Sequence, residues 1–185
     1  MTQLYKFGTC ACCGDLLAGS FDRRHVLRAA GGIGLFAALQ PFTALAAEGK
    51  YEAMVLGCID PRLQEPMAKY TASRGLTGKY SMFVFAGAAI GVVAEPFKDW
   101  HKTFWDNLAA TIELHSINRV IAIDHRDCGA ARIAYGADAV SSRDKETATH
   151  RSALSEFRKQ VGQRQPKLGV ETGLMAIDGT IEMFS

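Results

Sequence analysis

The stretch RVIAIDHRDCGAAR, at residues 119–132, indicates the fold of this chain. Residues 120–123 are apolar and mostly β-branched, which is typical of a buried β-strand. A polar loop follows directly, and the small residues from Gly129 onward predict that a helix begins there. Parallel sheets with flanking helices are built from this unit of strand, loop and helix.

Short apolar runs alternate with helical periodicity on both sides of this stretch. Strands are predicted at residues 53–57 and 80–85, and residues 168–184 predict two strands joined by an Asp-Gly turn. Helices are predicted at residues 63–74, 99–117 and 143–161, and from residue 129. Strands that alternate with helices predict an α/β fold, with a mainly parallel central sheet flanked by helices.

The composition suits one ordinary domain and argues against several classes of partner. The chain has 185 residues, of which 48% are hydrophobic, and its 21 basic and 19 acidic side chains leave a net charge of +2. Charges of both signs are mixed, so we expect no nucleic acid as a partner. The five cysteines are few and odd in number, which excludes a disulfide scaffold. The sequence contains no glycine-rich phosphate loop and no Ser-His-Asp motif.

Residues 1–46 have the pattern of an export signal. The pair Arg23-Arg24 precedes residues 29–47, which carry no ionisable side chain, and residues 44–46 are the small-x-small pattern that signal peptidases cleave. The segment resembles a twin-arginine translocation signal, which implies a periplasmic or otherwise exported bacterial protein that meets a membrane only during export. A transmembrane anchor is the alternative, although glycines and a proline interrupt the apolar run.

Cleavage after Ala46 would leave residues 47–185 as a single domain. All of the net charge of +2 belongs to the segment before the cleavage point, so this domain is formally neutral. Cys10, Cys12 and Cys13 also lie in the segment expected to be removed, and only two cysteines follow it. Since the twin-arginine route carries folded proteins, often with a cofactor bound, this resemblance also indicates a metal or a cofactor.

Candidate metal ligands follow two of the predicted strands. Cys58 comes directly after the strand at 53–57, and His125 and Cys128 follow the strand at 119–124. The carboxyl ends of adjacent parallel strands lie at the same edge of a sheet, so we expect these side chains to meet. Two thiolates and one imidazole suit Zn²⁺ and leave its fourth position open, as in catalytic zinc sites. A water in that position can become a hydroxide nucleophile near neutral pH.

Asp60 and Arg62 stand close to the first of these ligands. Side chains two residues apart in an extended turn point the same way, so the pair can form a bidentate, charge-assisted contact that fixes Asp60 beside the metal. There Asp60 could orient a zinc-bound water or compete with it for the metal. The alternatives are an ordinary surface ion pair and, for Cys58 and Cys128, buried core thiols or a redox pair.

The pattern Cys58-x-Asp60-x-Arg62 with His125-x-x-Cys128 resembles that of the β-class carbonic anhydrases. The resemblance implies that Cys58, His125 and Cys128 hold Zn²⁺, and that Asp60 and Arg62 form a catalytic pair beside it. It implies a carbonate dehydratase, a zinc lyase that hydrates carbon dioxide reversibly to bicarbonate by means of a zinc-bound hydroxide. It further implies a homodimer or a dimer of dimers, with the site near a subunit boundary.

Two departures from the family pattern bear on the substrate and the site. Family members commonly carry a polar Arg-Asn-Ala-Gly stretch after the second strand, whereas residues 83–89 are apolar or small here, which implies an apolar pocket wall at residues 85–89. Asp124 stands where a glycine usually precedes the ligand, and its carboxylate could steady neighbouring backbone or change the electrostatics of the site. A hydrolase of carbonyl sulfide or carbon disulfide is one alternative function, because an apolar pocket suits these molecules too. A non-catalytic zinc-binding module is another.

The remaining histidines are expected to be surface or satisfied interface residues rather than ligands. His101 and His115 lie on the helix predicted at 99–117, and His150 lies in a charged segment. The aromatic residues of the predicted helix are expected to pack in the core or at a dimer contact: Trp100, Phe104 and Trp105.

Overall fold

The computed structural model describes residues 51–185 of the chain. The predicted export signal, together with Cys10, Cys12 and Cys13, lies outside the described residues. Within residues 51–185 no helix is both long and apolar enough to cross a membrane. These residues form one mainly parallel sheet with helices packed on its faces, so the α/β class expected from the sequence is confirmed.

Strands and helices alternate along the described chain. The strands are β1 (Ala53–Gly57), β2 (Tyr80–Val84), β3 (Arg119–His125), β4 (Gly169–Met175) and β5 (Ile181–Phe184). The helices are α1 (Gln64–Ser73), α2 (Ala89–Val93), α3 (Lys98–His115), α4 (Gly129–Tyr135) and α5 (Arg143–Arg164). Short 3₁₀ turns lie at Pro61–Leu63, Glu95–Phe97 and Asp138–Val140. The predicted strands and long helices are all present, whereas α2 was not expected from the sequence.

The order of the strands in the sheet is β2-β1-β3-β4-β5. The neighbours among β1 to β4 run parallel, and β5 pairs antiparallel with β4 in the hairpin predicted at residues 168–184. The strand β1 therefore lies between β2 and β3, with Leu56 opposite both Phe83 and Ala122. Because parallel neighbours end at the same edge, the residues after β1 and after β3 come together there.

Alternate residues of the central strands fill a core on each face of the sheet. Leu56 packs on the face that α3 and α5 cover, where the rings of Phe104 and Phe157 have their centroids 5.5 Å apart. Val55 packs on the opposite face, with side chains from α1. Both rings are fully buried, and burying a side chain of this size stabilises a fold by about 1.5–3 kcal/mol. Burial on both faces explains why β1 and residues 120–123 of β3 are continuous apolar runs in the sequence.

A tight turn joins β2 to the unexpected helix α2. Gly87 has a φ of +79° and Ala88 a φ of +48°, in the region that favours glycine. Gly91 packs so closely against Phe85 that a β-carbon at Gly91 would collide with the ring. Since almost every residue of α2 is buried, tertiary packing rather than local helix propensity stabilises this short helix.

The helix α5 is more deeply buried than its charged sequence indicates. The expectation that His150 is a surface or interface residue is wrong, because its side chain is fully buried. Leu154 and Phe157 of the same helix are also fully buried. The helix packs along α2 and β4, so one side of it is covered even though it carries few large apolar residues.

Candidate metal centre

The three residues predicted as metal ligands meet at the carboxyl edge of the sheet. Cys58 follows β1, His125 is the last residue of β3, and Cys128 directly precedes α4. The Sγ atoms of the two cysteines and a ring nitrogen of His125 all lie within 4.8 Å of one another. His125 is 1% and Cys128 is 4% exposed, while Cys58 is partly exposed. Donor atoms this close together can bind one metal ion.

The imidazole of His125 is oriented as a metal ligand requires. Its Nδ1 lies 2.7 Å from the carbonyl oxygen of Arg126, so Nδ1 carries the proton and donates it to that oxygen. The other ring nitrogen, Nε2, is buried and has no hydrogen-bond partner among residues 51–185. A buried nitrogen without a partner is costly, and a metal ion beside the two sulfurs would satisfy it. The residues present therefore fit Zn²⁺, which prefers sulfur and imidazole donors.

The two cysteines of the group differ in their protonation. The hydrogen bond from the Cys128 thiol lowers the pKa of Cys58 to about 4; burial opposes this shift, and contacts with His125 and the amide of Gly87 add to it. The pKa of Cys128 is raised, because its proton is held in the hydrogen bond to Cys58 and because the side chain is buried. One thiolate and one thiol therefore share the site near neutral pH. A metal ion bound there would displace the proton of Cys128.

The predicted contact between Asp60 and Arg62 is present beside Cys58. The Nε of Arg62 lies 3.0 Å from Oδ1 of Asp60, and its Nη2 lies 2.6 Å from Oδ2. The backbone amide of Arg62 also donates to Oδ1, at 3.0 Å. These hydrogen bonds lower the pKa of Asp60 to about 2, so the carboxylate stays ionised. Arg62 also reaches the carbonyl oxygen of Asp127, at 3.4 Å, and so connects the loop after β1 to the loop after β3.

An open pocket of about 300 Å³ adjoins Cys58 and Asp60. Apolar side chains and one tyrosine form most of its remaining lining: Ile59, Leu63, Met67, Tyr80, Met82 and Val84. Side chains of α1 and β2 supply most of this apolar lining, and residues 85–89 do not line this pocket. The chain turns inward at Gly87, where a β-carbon would lie 2.9 Å from that of Ala130 on α4, so the turn packs inside the fold.

A buried pair of ionisable residues lies next to the ligands and was missed by the sequence analysis. Asp124 directly precedes His125 and is 1% exposed. Its Oδ1 accepts a hydrogen bond from the amide of Ala89 at 2.9 Å, and its Oδ2 lies 2.9 Å from Nδ1 of His150. Burial raises the pKa of Asp124, and the contact with His150 partly offsets that rise. The sequence indicated only that Asp124 could steady nearby backbone; no local signal identified His150, which comes from α5.

His101 and His115 are not part of the ligand group, and both have hydrogen-bond partners, as expected. The Nε2 of His101 lies 3.1 Å from the carbonyl oxygen of Ala94, and Nδ1 of His115 lies 2.6 Å from Oγ of Ser81. The aromatic residues of α3 pack against other rings, as their spacing predicted: Trp100, Phe104 and Trp105.

Sequence comparison finds relatives in the genus Rickettsia. An uncharacterized protein from Rickettsia conorii is 32% identical over 131 residues, which cover 71% of this chain and 70% of that protein. An uncharacterized protein from Rickettsia bellii is 33% identical over 131 residues, which cover 71% of this chain and 80% of that protein. No family model matches the chain.

Several solved structures share the fold at low sequence identity. The β-carbonic anhydrase CafA from Aspergillus fumigatus has a TM-score of 0.50 and 14% identity, over 77% of this chain and 79% of its own. A tetrameric β-carbonic anhydrase from Sordaria macrospora has a TM-score of 0.50 and 16% identity, over 78% of this chain and 85% of its own. The β-carbonic anhydrase CcaA has a TM-score of 0.52 and 11% identity, over 78% and 84%. The chain therefore has the fold of these enzymes.

Proposed function

We propose that this chain, which belongs to the family of these two rickettsial proteins, is a zinc-dependent carbonate dehydratase. The proposal is based on its fold and its candidate metal centre. The reaction is the reversible hydration of carbon dioxide to bicarbonate and a proton. The group of Cys58, His125 and Cys128 carries the proposal, because its donor atoms lie within 4.8 Å of one another. An ionised carboxylate, Asp60, and an apolar pocket lie directly beside this group.

Each residue of the centre has its own part in this proposal. Cys58, His125 and Cys128 would hold zinc, which lowers the pKa of a water that it binds so that hydroxide is available near neutral pH. Asp60 is ionised and can only accept hydrogen bonds, so it would orient the reacting water. Arg62 keeps the carboxylate in place through its two-nitrogen contact. The apolar pocket suits carbon dioxide, which is small and neutral, and holds the bicarbonate anion weakly.

Metal content and hydration rate of the purified full-length protein test the proposal. We expect stoichiometric zinc and carbon dioxide hydration in a stopped-flow assay. Cys58→Ser should lose zinc and activity together, whereas Cys12→Ser removes a thiol outside the described residues and should keep both. Zinc without activity would indicate a non-catalytic zinc-binding module. A protein without zinc that forms a disulfide between Cys58 and Cys128 would indicate a thiol redox protein.

The second candidate function is hydrolysis of carbonyl sulfide or carbon disulfide at the same site. The apolar pocket favours it, because Leu63 and Met67 present apolar surface to a neutral, linear molecule. Hydrolysis of either compound releases hydrogen sulfide, whereas carbon dioxide hydration releases only bicarbonate and a proton. Sulfide release that is faster than carbon dioxide hydration, with the same zinc-loaded protein, would favour this second function.

We also propose that two copies of the chain pair through β2, with a dimer of dimers as the larger assembly. The outer backbone groups of this edge strand have no strand partner within residues 51–185. Met82 is 45%, Val84 49% and the nearby Ile59 62% exposed. A second copy can cover this apolar edge by pairing its own β2 with it. The solved β-carbonic anhydrases from Sordaria macrospora, which share the fold, are tetrameric.

Sedimentation of substituted proteins tests the pairing. Met82→Lys should yield monomers, because a charge would then lie in the apolar contact. Leu114→Lys is the matched control, since Leu114 is apolar and 60% exposed but lies on α3. A dimer that persists in Met82→Lys would contradict pairing through β2.

We propose, lastly, that residues 1–46 export the folded protein to the periplasm and that residues 47–185 are the mature domain. The pair Arg23-Arg24 before an uncharged apolar run supports this route. Replacement of both arginines by lysine should leave the protein in the cytoplasmic fraction of a bacterial host with twin-arginine transport, whereas Lys6→Arg should not. Protein that stays in the membrane fraction would indicate an anchor instead.

A further inference from the structure

We propose that Asp124 and His150 position the metal centre by holding the turn between β2 and α2, which presents the amide of Gly87 to Cys58. This role rests on the proposed function, because it concerns the same ligands. Both are positioning residues and not ligands, since they act on Cys58 through the backbone of the turn.

Asp124 connects three elements inside the fold. It lies in β3, its Oδ1 accepts from the amide of Ala89 at the start of α2, and its Oδ2 pairs with His150 on α5. The side chains of Asp124 and His150 are both 0% exposed. A buried carboxylate is tolerated only where its oxygens have hydrogen-bond partners. Both contacts are therefore needed to keep the carboxylate in place.

The backbone next to this contact is strained. Ala88 has a φ of +48° and a ψ of −115°, a combination that a residue with a β-carbon disfavours. Such residues persist where the surrounding contacts determine their backbone. Asp124 accepts a hydrogen bond from the amide of Ala89, the residue directly after Ala88, and this hydrogen bond therefore opposes relaxation of the turn.

Gly87 carries the effect to the metal centre. Its amide donates to Sγ of Cys58 at 3.2 Å. Its φ of +79° and its closeness to Ala130 leave room only for glycine. A hydrogen bond to a ligating sulfur orients it and withdraws negative charge from it, which changes how strongly it binds a metal. Because Gly87 and Ala89 belong to the same turn, a shift of the Ala89 amide moves the Gly87 amide relative to Cys58.

Packing alone does not account for His150. Its Nε2 is buried without a hydrogen-bond partner in the described part of the chain. An apolar side chain of similar size would fill this space without an unpaired nitrogen. Only a residue with a donor at the place of Nδ1, however, can hold the carboxylate of Asp124.

Cobalt(II) binding to the full-length protein tests this role, because thiolate ligands give cobalt(II) a charge-transfer absorption band. His150→Leu should weaken cobalt(II) binding by about 10–100-fold and shift the band. His150→Asn should restore part of both, since its amide nitrogen takes the place of Nδ1 and can donate to Asp124. A purely structural role gives the opposite order, because leucine fills an apolar space better than asparagine. The matched control is His115→Leu, which breaks a contact with Ser81 and should leave the band unchanged.

A second substitution tests the strain directly. Glycine adopts the backbone of Ala88 without strain. Adding Ala88→Gly to the His150→Leu protein should therefore recover part of the lost affinity. An unshifted band and unchanged affinity in the folded His150→Leu protein would overturn the positioning role alone. An unsubstituted protein that binds no cobalt(II) through thiolates would overturn the proposed function instead.

The unsubstituted protein provides a test that does not depend on variants that fold. In the protein loaded with an NMR-active cadmium isotope, the amide proton of Gly87 should show scalar coupling to the metal across its hydrogen bond to Cys58. The amide of Ala89 should exchange slowly with solvent, because Asp124 accepts it in a buried site. Absence of the coupling in a cadmium-loaded protein would overturn the positioning role.

Discussion

Replacing Asp60 by asparagine tests whether its carboxylate acts in the reaction. Asparagine keeps the size of the side chain and one oxygen, which can still accept the backbone amide of Arg62. It removes the charge and the oxygen that lies 2.6 Å from the guanidinium. The side chains of Asp60 and Arg62 are 17% and 48% exposed, so water can replace the lost ion pair. We therefore expect little change in the free energy of unfolding.

The expected effect of this substitution is on the rate. In its proposed role Asp60 orients the reacting water, and poor orientation of a reacting group costs about 10²-fold, so stopped-flow kcat should fall by about that factor, which is about 3 kcal/mol of activation free energy. Zinc should stay bound, because Asp60 is not one of the three proposed ligands. Because the pKa of Asp60 is lowered to about 2, its carboxylate becomes protonated only as the pH falls through that value. Asparagine should therefore slow the reaction equally across the neutral range.

Asp178→Asn is the matched control for this experiment. The Oδ1 of Asp178 accepts a hydrogen bond from the amide of Thr180 at 2.8 Å. This contact resembles the one between Asp60 and the amide of Arg62, but it lies in the hairpin between β4 and β5. Its rate should equal that of the unsubstituted protein. A zinc-loaded Asp60→Asn protein with an unchanged rate would refute the role of the carboxylate.

Other experiments test the core, the thiols and the turn. Phe157→Ala should lower the free energy of unfolding in urea by about 3–5 kcal/mol because the ring is fully buried, whereas the exposed-site control Leu114→Ala should change it by less than about 0.5 kcal/mol. In metal-free protein, iodoacetamide should still modify Cys58 as the pH falls from neutrality towards its pKa of about 4, whereas Cys128 should resist modification. Peptide mass mapping measures both reactions, and equal pH profiles for the two cysteines would contradict this difference. Gly91→Ala should lower the free energy of unfolding by about 1–3 kcal/mol, because the collision of the new β-carbon with the preceding turn outweighs a gain of about 0.5–1 kcal/mol in helix propensity. An unchanged urea midpoint would count against this close packing.

The strands were predictable because the central ones are buried on both faces. Residues of β1 and residues 120–123 of β3 pack alternately on the two sides of the sheet, so both runs have to be apolar. The helix α2 was not predictable from such a pattern. It has five residues, one of them Gly91, and it is stabilised by the packing of residues such as Ile90 and Val92 inside the fold.

The site was predictable where its contacts are local. The contact between Asp60 and Arg62 depends on residues two positions apart, whose relative placement follows from the turn. The pocket wall at residues 85–89 was implied by the family resemblance and not by a contact between neighbours in the sequence. The cavity beside Cys58 is lined from α1 and β2, and the chain turns inward at Gly87 to pack against α4.

His150 shows most clearly what a local pattern cannot provide. Charged neighbours on α5 predicted a surface position, but the helix packs on the fold with this residue inward, against Asp124. The side that faces the core depends on elements distant in the chain.

The amino-acid sequence was enough to predict the α/β class, the residue types at the strand ends and the contact between Asp60 and Arg62, because each depends on neighbours along the chain. The strand ends predicted that Cys58 would meet His125 and Cys128, and the structure brings the three together because β1 lies beside β3. The tertiary structure alone decided that Asp124 pairs with His150 and holds the turn of Gly87. Strand order and helix docking depend on packing between segments that are distant in the chain, and no local periodicity indicates that packing.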